Sequence, residues 1–228
     1  MENTDAPGVQ GEPGERRASG RLRDSLEAHV FFADACKSNN SVNTFPKLKP
    51  NGEIRLLAEL VPRNYITIKN DSSIPNDSMI IRTVARAKYQ STLDLSNWYL
   101  QIRVAPEDEK FNTIKTPIGT FACKVMLQAD TNAPCTAMRV IEYVLDGLIG
   151  KKVLAYIDYI TIFSDTLENH IRDIRQVCIR LQDHKISALP YKCNFFANKL
   201  PLLGNVIDDQ GIHTDPQKIR VIQDWHTL

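Results

Sequence analysis

The sequence predicts an α+β fold, because segments of two different periods alternate along it. Segments such as KYQSTLDLS (88–96) and WYLQIRVAP (98–106) place apolar side chains at nearly every second residue, which is typical of neighbouring strands. Segments 133–149 and 167–185 place them at steps of three and four, which is typical of amphipathic helices. With 228 residues, of which 43% are hydrophobic, the chain can also bury a substantial core.

The N-terminal part contains four predicted elements. Residues 1–23 are rich in glycine, proline and charge, a composition typical of a disordered tail. A short helix is predicted over 24–36. The segment KLKPNGEIRLLAEL (47–60) predicts a hairpin, since Asn51-Gly52 favours the positive φ of a tight turn. A second short helix is predicted near 78–87.

The C-terminal half begins with the helix over 133–149, which has a proline in its first turn and a glycine after its end. The segment KKVLAYIDYITIFSD (151–165) then predicts two strands about a tight turn. A long helix follows, capped by Asp165 or Thr166. Its buried face is predicted to consist of five residues at helical spacing: Leu167, Ile171, Ile174, Cys178 and Leu181.

The chain ends with a predicted hairpin and a short helix. The segment PLLGNVIDDQGIHTD (201–215) predicts a hairpin with Gly211 at its turn. Residues 216–225 are predicted to form the last helix, capped by Thr214 or Asp215.

Composition excludes several classes of function. The net charge is +1, so any site for a polyanion must come from a local cluster of cations. Five dispersed cysteines without a CxxC pair indicate a reducing compartment, hence an intracellular protein of the cytoplasm or nucleus, and argue against a zinc site. No apolar run approaches the ~18 residues of a membrane span, and the polar N-terminus does not resemble a secretory signal.

Two aspartates lie in apolar, strand-like surroundings: Asp94 in TLDLS and Asp158 in YIDYI. A buried carboxylate must be paired, hydrogen-bonded, metal-bound or protonated. If their strands are neighbours, the two carboxylates could converge on a divalent ion such as Mg²⁺, which prefers hard oxygen ligands. The alternative is that both are unrelated turn or cap residues.

Four ordered blocks resemble the reverse transcriptase of gypsy-type LTR retrotransposons. They begin with STLDLSNWYLQIRV, TNAPCTAM, AYIDYITIFSD and LLGNVIDDQG, and their order and spacing match that family from about residue 46 onward. The resemblance implies a fingers-like part over 24–88 and a palm over 89–212, with the active-site hairpin at 153–164. It implies an antiparallel palm sheet backed by helices, and at 213–228 the start of a thumb that is otherwise largely absent.

The same resemblance implies which residues hold the metal. Asp94 matches the family's first metal-binding carboxylate and Asp158 the second, in the Tyr-x-Asp-Asp hairpin. Tyr159 replaces the third acid, and a phenol with a pKa near ~10 is a poor ligand for Mg²⁺. Mg²⁺ or Mn²⁺ is therefore expected to bind weakly if at all.

Four further positions match the family's nucleotide site. Tyr99 resembles the side chain under the incoming sugar, Gln128 lies in the block that lines the pocket, and Arg55 resembles the finger arginine that grips the triphosphate, with Lys49 beside it. Tyr99 also has a plain structural interpretation as a core aromatic residue of a strand, and Arg55 and Lys49 as hairpin surface residues.

Three departures from the family weaken this nucleotide site. Ala129 replaces a usual glycine, Val61 a usual arginine and Glu59 a usual aspartate. On the primer side, Lys192 in PYKC and Gly204 in LLGN resemble elements that contact primer or nucleotide, although a structural strand is the simpler interpretation of LLGN.

The resemblance implies an RNA-directed DNA polymerase domain that acts on an RNA or DNA template–primer with deoxynucleoside triphosphates. Because of Tyr159, we expect the activity to be impaired or absent. The alternative is an inactive relic that serves only as a nucleic-acid-binding or protein-interaction module. A plain α+β domain without a nucleotide function would require four motif blocks to match by accident.

Overall fold

The computed structural model describes residues 33–38, 40–48, 52, 54–70, 76–117 and 119–225. The predicted disordered tail, residues 1–23, lies outside them. The described chain divides into two compact units. The first comprises the described residues up to Thr67 together with Arg103–Asp130, and the second comprises Ile68–Ile102 and the described residues of Thr131–Leu228.

The first unit is built on a five-stranded sheet with the strand order β1-β6-β5-β2-β3. β2 pairs in parallel with β5, and the other pairs are antiparallel. The predicted hairpin is confirmed as the β2–β3 pair. The unit also contains helix α1 (Val61–Ile66) and a 3-10 turn at Glu109–Phe111. Its strands are β1 (Ala33–Ala35), β2 (Val42–Leu48), β3 (Ile54–Ala58), β5 (Thr113–Thr116) and β6 (Gly119–Cys123).

The prediction of a helix over 24–36 is wrong for its last residues, because Ala33–Ala35 form strand β1. Residues up to 32 lie outside the described part, but Ala33–Ala35 pairs antiparallel with Phe121–Cys123 of β6. Alanine has the highest intrinsic helix propensity, but such propensities differ by less than about 1 kcal/mol per residue, and pairing with a sheet edge that is distant in sequence overrides them.

The second unit contains two three-stranded antiparallel sheets, with the orders β4-β8-β7 and β11-β10-β9. The second sheet consists of two successive hairpins, where the sequence predicted one. The strands are β4 (Tyr89–Asp94), β7 (Val153–Tyr156), β8 (Tyr159–Ser164), β9 (Lys199–Leu202), β10 (Asn205–Asp208) and β11 (Gly211–Thr214).

The described residues of the second unit form four α-helices. The apolar stripe predicted for the 133–149 segment is buried, with Ala137 and Ile141 both 0% exposed. Within the described residues, no helix is both long and apolar enough to span a membrane. The helices are α2 (Asp77–Val84), α3 (Ala133–Val144), α4 (Leu167–Asp183) and α5 (Pro216–Gln223).

Two cap alternatives are resolved. The Thr166 side chain accepts a hydrogen bond from the Asn169 amide and caps α4, and the Asp215 side chain accepts one from the Gln217 amide and caps α5. Each satisfies a backbone N–H that the first helical turn leaves without a partner.

The segment predicted as a strand over 98–106 is instead a 3-10 turn at Trp98–Gln101. Asn97, at φ 42°, turns the chain out of the strand direction. The Gln101 amide then donates to the carbonyls of Ser96 and Ser187 and accepts from the Ser187 N–H. These side-chain bonds replace a strand ladder, which is why the alternating pattern misleads here.

The inner face of α4 also differs from the prediction. Leu167 and Ile171 are 42% and 44% exposed, and Cys178 is exposed too. The buried residues are His170, Asp173, Val177 and Leu181, a face rotated by about one residue.

A chain of polar contacts explains this rotation. Ser91 of β4 lies 2.8 Å from His170 Nε2, and Ser164 of β8 lies 3.1 Å from His170 Nδ1. Ser164 Oγ donates to Asp173 at 2.9 Å, and Lys152 Nζ donates to the other Asp173 oxygen at 2.8 Å. Buried hydroxyls on the sheet require polar partners, so α4 turns its polar residues inward. We call these five residues the polar network.

Candidate active site

The β7–β8 hairpin places Asp158 at its tip. Tyr156 pairs with Tyr159, so Ile157 and Asp158 form a two-residue turn. Ile157 has φ 56°, a conformation that is unfavourable for a β-branched residue and marks local strain. Its N–H points to the sulfur of Met138 on α3, at 3.2 Å. The hairpin tip is thus held in a strained shape by contacts with the helix behind it.

Asp94 lies at the end of β4, directly opposite Tyr159 of β8. The next amide, that of Leu95, donates to the Asp158 carbonyl at 2.9 Å. Residues directly opposite in an antiparallel pair have Cβ atoms about 5 Å apart. The structure therefore brings the Asp94 and Asp158 segments together, as the sequence predicted for neighbouring strands.

The two carboxylates influence each other electrostatically. Burial raises the pKa of Asp158, and the negative charge of Asp94 raises it further, whereas its own backbone N–H and the ammonium of Lys192 oppose the rise. A divalent cation between the carboxylates would remove this penalty, because it offsets both burial and repulsion.

Lys192 reaches the same site from the other edge of β4. Its Nζ lies 3.4 Å from Asp94 Oδ2, and the Lys192 side chain is 50% exposed while that of Asp94 is 6% exposed. Lys192 is the last residue of a short 3-10 turn, Pro190–Lys192. Two residues later, Asn194 forms an isolated antiparallel β-bridge with Thr92 of β4. The site therefore contains one cation next to the more deeply buried acid.

Tyr159 stands where a third acid would complete the donor set. Burial raises the pKa of its phenol, as do the nearby charges of Asp94 and Asp158, while Lys192 acts in the opposite direction. The phenol is therefore neutral at pH 7 and supplies no negative charge beside the Asp94 carboxylate, which lies opposite it in the β4–β8 pair.

Tyr99 is the fifth side chain of this cluster. It is half-buried in the 3-10 turn after β4, and its pKa is raised by burial and then by the charge of Asp158. The phenol therefore lies within electrostatic range of the second acid.

The donor set fits one hard cation better than two. Asp94 and Asp158 supply two carboxylates, and Mg²⁺ is commonly bound by one or two carboxylates together with substrate phosphates. Within the described residues, no group of three or more His, Cys, Asp or Glu side chains could hold a metal. A second ion would lack the carboxylate ligand that Tyr159 replaces.

Gly204 lies on the other sheet of the second unit. It follows Leu203 in the two-residue turn between β9 and β10, and both residues have positive φ, 50° and 73°. A Cβ at Gly204 would overlap only the flexible end of the Lys218 side chain, which can move away. The positive φ of this turn position is therefore the structural reason for the glycine.

The remaining predicted residues belong to the first unit. Arg55 lies on β3 opposite Lys47, and Lys49 lies outside the described residues. Gln128 is exposed in a turn that ends at Asp130. Their roles stay predictions.

Arg63, a functional candidate that the sequence alone does not single out, fixes this turn. Its guanidinium donates to Asp130 at 2.8 Å and to the Asn112 side chain and the Phe111 carbonyl at 3.2 Å. Nothing in the local pattern around Arg63 indicates partners that are 48 to 67 residues distant.

The chain is similar to one protein family over most of its length. A family model described as reverse transcriptase (RNA-dependent DNA polymerase) matches residues 48–207. The retrovirus-related Pol polyprotein of the Drosophila melanogaster transposon opus is 30% identical over 207 residues, which are 90% of this chain and 21% of that protein. The corresponding polyprotein of the transposon gypsy is 29% identical over 175 residues, or 77% of this chain and 17% of that protein. The chain thus spans about a fifth of the length of these curated relatives.

Solved structures support the fold. A foamy viral protease-reverse transcriptase in complex with dsDNA superimposes with a TM-score of 0.82 at 19% identity, covering 99% of this chain and 48% of that one. A second foamy viral complex with ds DNA has a TM-score of 0.81 at 18% identity, covering 100% and 39%. The predicted α+β architecture of palm and fingers type is confirmed by these similarities.

Proposed function

This chain belongs to the reverse transcriptase (RNA-dependent DNA polymerase) family, and from that premise we propose that it is the polymerase-type domain of a retrotransposon polyprotein with impaired or absent nucleotidyl transfer. The observation that supports the proposal best is the convergence of Asp94 and Asp158 at the tip of one hairpin, with the neutral Tyr159 phenol opposite Asp94. The substrates would be an RNA or DNA template–primer and deoxynucleoside triphosphates, as the family implies.

Asp94 and Asp158 would hold the Mg²⁺ or Mn²⁺ ion. When bound, such an ion activates the attacking hydroxyl and neutralises the leaving pyrophosphate in phosphoryl transfer. Lys192, which lies beside Asp94, offsets part of the acid charge while the site is free of metal and can turn to substrate phosphate when it is filled.

Tyr159 would weaken this chemistry because it supplies no carboxylate for a second ion. If the second ion contributes about 4 kcal/mol to the transition state, its loss lowers the rate about 10³-fold.

We propose, from the positions that match the family's motifs, that Arg55, Lys49 and Gln128 contact the triphosphate and base, with Tyr99 under the sugar and with Lys192 and Gly204 on the primer side. The fingers-like part would lie over 24–88, the palm over 89–212 and the start of a thumb or connection at 213–228.

A second candidate is a nucleic-acid-binding or protein-interaction module without catalysis. The incomplete donor set favours it: within the described residues, no third acid accompanies Asp94 and Asp158.

Primer extension on an RNA template with Mg²⁺ or Mn²⁺ tests the proposal. We expect little or no product from the natural chain and at least a tenfold gain from Tyr159→Asp. Tyr159→Phe is the matched control, because it removes the hydroxyl without adding a ligand, and it should stay inactive.

The outcomes separate the two candidates. Robust extension by the natural chain would refute the proposed impairment. A silent Tyr159→Asp variant that still binds template–primer would favour the binding module, because the missing acid would then not be the main defect.

A further inference from the structure

An open cleft of about 360 Å³ lies at the end of β8 that is remote from Asp158. Its walls come from the end of α2, the turn before β7, the end of β8 and the first turns of α4. From Tyr159 to Ser164, β8 spans five residue steps, about 17 Å at a typical strand rise. The cleft is therefore distinct from the paired carboxylates.

Four cations line this cleft: Arg86, Lys151, Lys152 and Arg172. We call these residues the basic cleft. Two acids, Asp165 and Asp173, also line it. Asp173 is buried and already accepts bonds from Lys152 and Ser164 inside the polar network, so it does not neutralise the other cations.

The cations differ in how they are held. Arg172 donates to the Asn169 side chain at 2.7 Å, which orients its guanidinium. Lys152 is fixed by Asp173 and Gln176. Across the described part of the chain, the side chains of Arg86 and Lys151 have neither a hydrogen bond nor an ion pair, and both are exposed. Guanidinium groups with free donors suit phosphate oxygens, which they can bind bidentately.

The basic cleft continues into a neighbouring depression. Thr83 and Arg86 line both, and the second depression, about 400 Å³, adds Arg82 from the same face of α2. Five cations thus follow one another along a continuous surface in a chain whose net charge is only +1. An extended row of cations matches a string of phosphates better than a single anion.

We propose that the basic cleft and Arg82 bind the phosphate backbone of a single-stranded nucleic acid, at a place separate from Asp94 and Asp158. Binding there needs no metal and no polymerase activity, so it does not depend on the proposed catalytic site. It would hold a strand on the palm even when the nucleotidyl transfer site is inactive.

The test is fluorescence anisotropy of a labelled 20-nucleotide single strand with the full chain in EDTA, over 50 to 200 mM salt. The variant Arg86→Gln/Lys151→Gln/Arg172→Gln neutralises the cleft, and Lys115→Gln/Lys199→Gln/Arg220→Gln neutralises three exposed cations that do not line it. Each lost phosphate contact lowers the salt slope by about 0.7 for a single strand. We expect the cleft variant to lose about 2 in slope and about tenfold in affinity, and the control to stay within about twofold.

Unchanged circular dichroism and thermal midpoint would show that the cleft variant is folded. Equal binding by the cleft variant and its control would overturn the proposal. A parallel titration with tripolyphosphate distinguishes a nucleic-acid strand from a small polyphosphate as the ligand. If the cleft variant loses saturable tripolyphosphate binding but still binds the strand like the natural chain, the proposal is also overturned. Because no arm measures synthesis, these results are independent of primer extension.

Discussion

Without a bound cation, the ionised form of Asp158 is disfavoured in the folded protein. Burial and the charge of Asp94 raise its pKa, and Lys192 only partly compensates. An acid whose pKa is higher in the folded than in the unfolded state lowers stability at neutral pH, because the unfolded chain ionises it more readily.

Asp158→Asn should therefore raise the thermal midpoint by about 1–2 °C in EDTA at pH 7.5, a small shift because solvent screens a half-buried carboxylate. Mg²⁺ or Mn²⁺ should raise the midpoint of the natural chain but not of the variant. Differential scanning fluorimetry measures both, with the exposed Asp165→Asn as the control. An equal response of Asp158→Asn to metal would show that the ion binds elsewhere.

The acids of the site could be found in the sequence, whereas their partners could not. A carboxylate within an apolar strand segment needs a hydrogen-bonding, charged or metal partner, so Asp94 and Asp158 can be recognised as candidates from the sequence alone. The Lys192–Asp94 contact joins residues 98 positions apart, and Arg63 reaches Asp130 across 67. Lysines and arginines are usually solvated, so no local pattern distinguishes these two.

At the scale of elements, the polar network joins β4, β8 and α4 and has a defined proton order. Ser164 donates to Asp173, so His170 Nδ1–H donates to Ser164. His170 is fully buried and burial lowers its pKa, so the ring is neutral and its Nε2 lone pair accepts from the Ser91 hydroxyl. The Ser91 oxygen in turn accepts from the Phe196 amide.

His170 should make the fold sensitive to acid. Burial lowers its pKa, although Asp173 opposes the shift. The unfolded chain therefore takes up the proton first as the pH falls below about 6.5, and stability decreases by at most about 1.4 kcal/mol per pH unit. His170→Gln should be less stable at pH 7.5, because it satisfies fewer hydroxyls, and should lose less stability than the natural chain between pH 7.5 and 5.

Urea denaturation at several pH values measures this difference. His184→Gln, at the exposed end of the same helix, should keep the pH dependence of the natural chain. Parallel curves for His170→Gln and the natural chain would contradict a neutral buried histidine.

The same network explains why the inward face of α4 could not be predicted. Apolar spacing favours Leu167 and Ile171 as core residues, and this rule succeeds for α3, whose stripe is buried. On α4, hydroxyls on two strands that are distant in sequence decide the orientation. Periodicity predicts that a helix exists more reliably than it predicts which face packs when the adjoining sheet is polar.

At the scale of the whole molecule, the division into two units depends on long-range pairing. The parallel contact of Val42 and Asn43 with Ile114 and Lys115 draws residues 103–130 into the first unit, although they follow β4 of the second. Local patterns identify most of the strands but not which distant strand pairs with which. The family resemblance, rather than periodicity, supplied the architecture.

Stability should also be distributed unevenly over the second unit. Ile160 and Ile162 of β8 are fully buried between β4 and β7. Helix α5, in contrast, has no buried residue, and its apolar side chains Ile219, Val221 and Ile222 are 43%, 64% and 70% exposed. A helix of eight residues without a buried face opens at little cost, whereas β8 opens only with its sheet.

Hydrogen exchange followed by mass spectrometry should therefore show protection of β8 for hours and exchange of α5 within seconds. Peptides from α4 should resemble β8, because the polar network fastens that helix to the sheet. The measurement should be repeated over a dilution series, since a second copy of the chain could cover exposed apolar side chains. Protection of α5 equal to that of β8 at every dilution would contradict the gradient, because concentration-independent protection requires packing within the chain itself.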